Sequence, residues 1–139
     1  MVCTAVQGTG SKNKINAIKE IVKIYKLPIL ALVKIHMGGD HAVKIGKIIG
    51  YNGQSRRVDA IGFSGGIWLY WRPELVYITP VTEHPQYITI EVARRGELPW
   101  LFSAIYASPN PINRAALWSE LDQFASSNNI PWLLAGDFN

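Results

Sequence analysis

The side chains best spaced for chemistry fall in Gly136-Asp137-Phe138-Asn139. The apolar run 132–135 before them reads as a strand buried on both faces. Gly136 interrupts that run and opens room for close backbone approach. Asp137 and Asn139 stand two apart, so an extended backbone points both to one side. A carboxylate and an amide at a buried strand's end can orient a water or hold a phosphate. The same four residues also suit an ordinary strand followed by an Asp/Asn turn. Tyr106 ends another apolar stretch, and its phenol suits either a phosphate oxygen or the edge of a core. Lys34 follows the apolar run 29–33. His36, His41 and His84 sit in no motif and read as surface or supporting histidines.

The elements that must position these residues are legible in the patterning. Residues 12–26 form an amphipathic helix, with Ile15, Ile18, Val22 and Tyr25 at three- and four-residue steps and Ile21 widening the stripe. The lysines mostly take its other faces and read as a solvated surface. Ser11 is placed to cap this helix, and Asp40 a second one running to about residue 49. Residues 29–33 and 67–71 are continuous apolar strands. Residues 51–60 suit an edge strand, and 75–81 another strand. Along 86–93, Ile88, Ile90 and Val92 alternate with Thr89 and Glu91. A turn at 94–97 leads into a strand at 100–107. A rigid loop, Ser108-Pro109-Asn110-Pro111, then precedes a helix at about 113–126, striped by Ala116, Leu117, Leu121 and Phe124. Strands interleaved with helices predict a layered α/β (α+β) domain.

Composition sets the bounds. The chain has 139 residues, and 48% apolar with 17% charged residues fits a globular core rather than a disordered tail. A net charge of +4 permits a polyanionic partner such as DNA. The lone Cys3 excludes an internal disulfide and a cysteine metal cluster. No stretch approaches the roughly 20 apolar residues of a membrane helix, and no basic start with a long apolar run marks a signal peptide. No membrane partner is expected, and no oligomer is inferred. Gly8-Thr9-Gly10-Ser11 lacks the glycine spacing of a nucleotide-binding loop.

Four segments, taken in order, resemble the first half of the endonuclease/exonuclease/phosphatase domain. They are 37–41, the Gly62-Phe63-Ser64-Gly65-Gly66 loop, 104–110 and 136–139. More narrowly they resemble the endonuclease domain of plant LINE-type retrotransposons. The resemblance implies a four-layered α/β sandwich with a Mg²⁺-dependent phosphodiesterase site where the strand ends of two sheets meet. It assigns Asp137 to orienting the attacking water, Asn139 to holding phosphate or substrate, and Tyr106 to the site as its tyrosine. It gives Asn110 a further substrate-binding place. The implied reaction is hydrolytic nicking of DNA, with a reverse transcriptase domain following in an intact polyprotein. A nuclear location follows if the chain acts as a retroelement endonuclease. A phosphatase-type ancestry is the alternative within the same family.

The sequence departs from that pattern at two positions. Lys34 stands where the family places its metal-binding Glu. A magnesium site needs anionic oxygen ligands, and an ammonium repels the ion. Tight Mg²⁺ binding by this chain is therefore not expected. Ala5 stands where an Asn is expected and has no hydrogen-bonding group. The family's closing Asp-His pair belongs to a second half beyond Asn139. Three readings result: an inactive N-terminal part of a phosphodiesterase domain spanning 1–139, a remnant that still binds nucleic acid, or a retroelement remnant with no selected role. The expected architecture is an incomplete sandwich, mostly one sheet with packed helices. Its uncovered sheet face would leave the chain marginal or prone to aggregation.

Overall fold

The computed structural model describes residues 2–7 as backbone, and 12–52, 55–58 and 65–139 with their side chains. Ser11 as a cap, the loops at 8–11 and 62–64, and the Ala5 side chain fall outside the described residues. In chain order the elements are β1 (Val2–Gln7), α1 (Lys12–Tyr25), β2 (Ile29–Ile35), α2 (Asp40–Ile49), β3 (Ser55–Val58) and β4 (Gly66–Trp71). There follow β5 (Tyr77–His84), β6 (Tyr87–Ala93), β7 (Trp100–Tyr106), α3 (Pro111–Ser127) and β8 (Trp132–Asp137).

The strands form two four-stranded sheets, ordered β1-β2-β4-β3 and β5-β6-β7-β8. Pairing is parallel for β1 with β2 and for β7 with β8, and antiparallel elsewhere. Alternation along each strand divides the core into three layers of side chains. Ile29, Ala31 and Val33 of β2 meet Ile88, Ile90, Val92, Phe102 and Ala104 between the sheets. The intervening Leu30 and Leu32 pack under α1 and α2. Ile105 and Ala107 pack under Leu117 and Leu121 of α3. The order is helices, sheet, sheet, helix: an α+β sandwich of four layers, each present.

This corrects the expectation of mostly one sheet with an uncovered face. The second sheet is built from residues 77–137, and its inner face is closed against the first. Burying each large aliphatic side chain there contributes roughly 1.5–3 kcal/mol. Exposure falls instead on β8, an edge strand of its sheet, where Leu133 is 47% exposed. The apolar run 132–135 is therefore not buried on both faces, whereas the runs in β2 and β4 are.

Smaller departures are local. Tyr25 is 63% exposed and leaves the α1 stripe, whose buried members are Ile18 and Val22. Asp40 lies in the first turn of α2, and its N-cap is Gly39 with no side-chain cap bond. Asn110 caps α3, its Oδ1 accepting from the N–H groups of Ile112 at 2.9 Å and Asn113 at 3.4 Å. Pro111 then fills the first helical position, which needs no N–H donor, so α3 starts before Asn113.

Candidate active site

The register of β7 with β8 runs unbroken from Leu101 opposite Trp132 to Tyr106 opposite Asp137. Ala135 packs in the layer between the sheets, and so does Tyr106. With a period of two, Asp137 leaves the same face as Ala135. The strand ends thus bring a phenol and a carboxylate side by side, facing the other sheet. Gly136 makes this register possible. Its φ is +146°, and a Cβ there would lie 2.0 Å from the carbonyl oxygen of Ile105.

Beyond Asp137 the chain turns instead of extending. The Asp137 Oδ1 accepts from the Asn139 N–H at 3.0 Å, forming an Asx turn. Asn139 adopts φ +53°, and its Nδ2 donates to the Ala107 carbonyl. The Ala107 N–H in turn donates to the Asp137 carbonyl at 2.8 Å. The expectation that an extended backbone aligns Asp137 and Asn139 is corrected. Asn139 is near Asp137 because of a turn, and its amide is engaged by the backbone.

Tyr106 is 6% exposed and lines a cavity of about 450 Å³ with Gly65, His84, Gln86, Ser108 and Asn113. Its hydroxyl has no hydrogen-bond partner among the described residues. Gly65 brings in the first sheet. A Cβ on Gly65 would lie 2.5 Å from the backbone Cα of Lys34, so these two chain segments touch. Lys34 itself is half-buried at a β-bulge, where the register with β4 shifts between Val33 and Ile35, and its φ is +60°. Bulges of this kind re-aim a side chain at a sheet's end. Among the described residues Lys34 makes no ion pair. The structure therefore gathers Tyr106, Asp137 and Asn139 at one end of the second sheet, with the Lys34 backbone against the cavity wall. Asn110 stays outside that group as an exposed helix cap.

Gln86, which the sequence did not single out, organises the rim. Its carbonyl accepts from the Tyr106 N–H at 2.8 Å. Its Oε1 accepts from the Ser108 N–H at 2.7 Å, and its Nε2 donates to the Asn113 carbonyl at 2.9 Å. The His84 Nδ1 accepts from the Gln86 N–H at 3.1 Å, which puts the proton of the neutral ring on Nε2. That Nε2 lies 3.3 Å from Glu120 of α3. The ring stacks on Tyr87 at 4.8 Å, and the Tyr87 hydroxyl donates to Glu120 at 3.0 Å. Burial, then this hydrogen bond and charge, push the Tyr87 phenol up to about 12. His84 is thus a supporting residue on the cavity rim. A polar residue opening an alternating strand was the one sequence signal for Gln86.

Among the described residues no group of three or more His, Cys, Asp or Glu side chains is placed to hold a metal. The cavity offers a phenol, amides, a hydroxyl and an imidazole, and a lysine stands near it. Hard divalent ions need several anionic oxygens.

No family model and no curated protein matches the sequence. Solved structures do match in shape. The endonuclease domain of TRAS1, a telomere-specific non-LTR retrotransposon, superposes with a TM-score of 0.68 at 9% identity, covering 98% of this chain and 58% of that one. ANGEL2, a 2′,3′-cyclic phosphatase, gives 0.61 at 14% identity, with 89% and 42% covered. Truncated TDP2 of Caenorhabditis elegans gives 0.62 at 13% identity, with 98% and 61% covered. All three are endonuclease/exonuclease/phosphatase superfamily members. This chain has the endonuclease/exonuclease/phosphatase fold. It spans roughly half the length of each of these neighbours with that fold. Among the described residues no helix is long and apolar enough to cross a membrane.

Proposed function

We propose that this chain is the N-terminal part of a nuclease-type phosphodiesterase domain of retroelement descent, and that it does not hydrolyse DNA by itself. The observation that carries the reading is Tyr106. It lines a cavity at the strand ends, its hydroxyl has no partner among the described residues, and Asp137 is its register partner. A phenol donor beside a carboxylate suits a phosphate oxygen and a water on neighbouring positions. Asn139 spends one N–H of its amide on the Ala107 carbonyl, so its second N–H and its Oδ1 are the groups available to a substrate.

Inactivity follows from charge. At about 4 Å and an effective dielectric near 20, a pair of unit charges interacts by roughly 4 kcal/mol. Lys34 replaces attraction by repulsion for any cation that would neutralise the phosphate. Plasmid nicking in Mg²⁺ tests the proposal. Conversion of supercoiled DNA stays at background. Nicking that is abolished by Asp137→Ala overturns the reading.

Lys34 also favours a second reading, nucleic-acid binding without catalysis. A cation at the strand ends holds a backbone phosphate directly. Binding then weakens with salt and with Lys34→Glu, and salt-independent binding counts against it.

A further inference from the structure

The outer face of the first sheet carries a second concavity, of about 640 Å³, between α1, α2 and the turn joining β4 to β5. It shares no lining residue with the Tyr106 cavity. Its lining includes Lys19, Lys23, Lys26, Lys47 and Arg72, against one acid, Glu74. The chain has 14 Lys and Arg and 10 Asp and Glu. Setting the groove aside leaves nine basic and nine acidic residues, so the whole formal excess of +4 surrounds this one depression.

The charges are also ordered. Lys19 and Lys23 lie at i and i+4 on one flank of α1, about 6 Å apart along its axis at 1.5 Å per residue, and Lys26 follows directly after the helix with φ +47°. Separate cations spread along the groove match a chain of phosphates better than a single anion. The exposed Ile21, Ile24 and Tyr25 occupy the opposite flank. A lipid surface needs lysines and apolar groups to share one plane, and here they do not. The groove's own apolar wall is Ile48, 43% exposed, and Leu75, 38% exposed. Arg72 stands beside it, its guanidinium held 5.0 Å over the Tyr51 ring. Guanidinium planes and apolar walls receive unstacked bases, which a duplex keeps inside its stack.

We propose that this groove is a second binding site, for single-stranded nucleic acid. It holds two or three successive phosphates on Lys19, Lys23, Lys26 and Lys47, and one base against Arg72, Ile48 and Leu75. The site does not depend on the Tyr106 cavity being catalytic.

Fluorescence anisotropy with a labelled oligothymidylate, over a series of salt concentrations, tests the proposal. Replacing the four lysines by Gln lowers affinity about tenfold or more. It also reduces the slope of log affinity against log salt by about 0.7 for each phosphate released. The control Lys12→Gln/Lys44→Gln/Arg95→Gln, outside the groove, changes affinity less than threefold (roughly). The pair Ile48→Ala/Leu75→Ala weakens oligothymidylate binding and leaves inorganic tripolyphosphate binding unchanged. Asp137→Ala leaves oligothymidylate binding unchanged, which separates this site from the other. Equal loss in the groove and control sets overturns the proposal, as does tighter binding of a duplex of equal length. Circular dichroism of each variant confirms the fold, and the Gln set, being free of charge reversal, leaves α1 without new repulsion.

Discussion

Tyr106 and Asp137 are register partners on neighbouring parallel strands, and both side chains leave the face of the sheet that looks toward the other sheet. They are 31 positions apart in sequence, with α3 as the crossover between their strands. The pair exists because β8 runs parallel to β7, and parallel neighbours need such a crossover.

That pairing rests on Gly136. Any Cβ at this position meets the Ile105 carbonyl, and φ +146° is unfavourable for an L-residue. Gly136→Ala is expected to destabilise the chain by about 3 kcal/mol or more, or to slip the β8 register. Thermal unfolding measures the first, and loss of the Trp132 to Ser103 hydrogen bond, seen in indole N–H exchange, reports the second.

Gln86→Ala leaves the Ser108 N–H and the Asn113 carbonyl without their side-chain partner. The Ser108 N–H is buried, and leaving it unsatisfied costs about 1–3 kcal/mol, whereas Asn113 is exposed and water can replace the lost donor. The expected outcome is a lower midpoint in urea unfolding with an unchanged slope. Gln86→Glu keeps the acceptor for Ser108 and loses the donor to Asn113, so it recovers part of the difference.

The Tyr87 phenol carries a pH signature. Its folded pKa is raised, to about 12, so the native state holds the proton more tightly than the unfolded chain. Its stabilising contribution is complete below the ordinary tyrosine value near pH 10. It is lost as pH rises through the folded value. Tyr70, pushed upward by burial and drawn partly back by Arg57, adds to the same alkaline slope. Tyr87→Phe is expected to flatten the fall in stability between about pH 10 and 12 without abolishing it. Glu120→Gln removes a smaller cause than burial, so it brings the phenol only part of the way down. Ultraviolet tyrosinate titration, with denaturant unfolding at each pH, checks both.

Lys34→Glu introduces an anionic oxygen at the end of β2. The wild-type melting temperature is expected to be indifferent to Mg²⁺, and the variant's to rise with it. At about a hundredfold excess over Kd the stabilisation is roughly 2.7 kcal/mol. Wild-type stabilisation by Mg²⁺ at the same concentration contradicts the account of Lys34.

Most of the layers were legible from local patterning. The continuous apolar runs in β2 and β4 are buried on both faces because helices cover one side and the second sheet the other. The alternation of Ile88, Ile90 and Val92 named the inner face of β6 correctly. The equally apolar run of β8 misled, because a strand's own residues do not say whether a further strand pairs beyond it. Chain order likewise did not show that residues 77–137 make a four-stranded second sheet.

The family resemblance singled out Tyr106, Asp137 and Asn139, and marked Lys34 as a cation where that family places a carboxylate. Their meeting point was settled by long-range pairing. Parallel register placed Asp137 beside Tyr106, an Asx turn brought back Asn139, and Gly65 seated the Lys34 backbone against the cavity that Tyr106 lines. Gln86 and the basic groove emerged only in three dimensions. Side chains from separate elements converge there through sheet pairing and helix packing, and local periodicity carries no record of which distant face an element will meet.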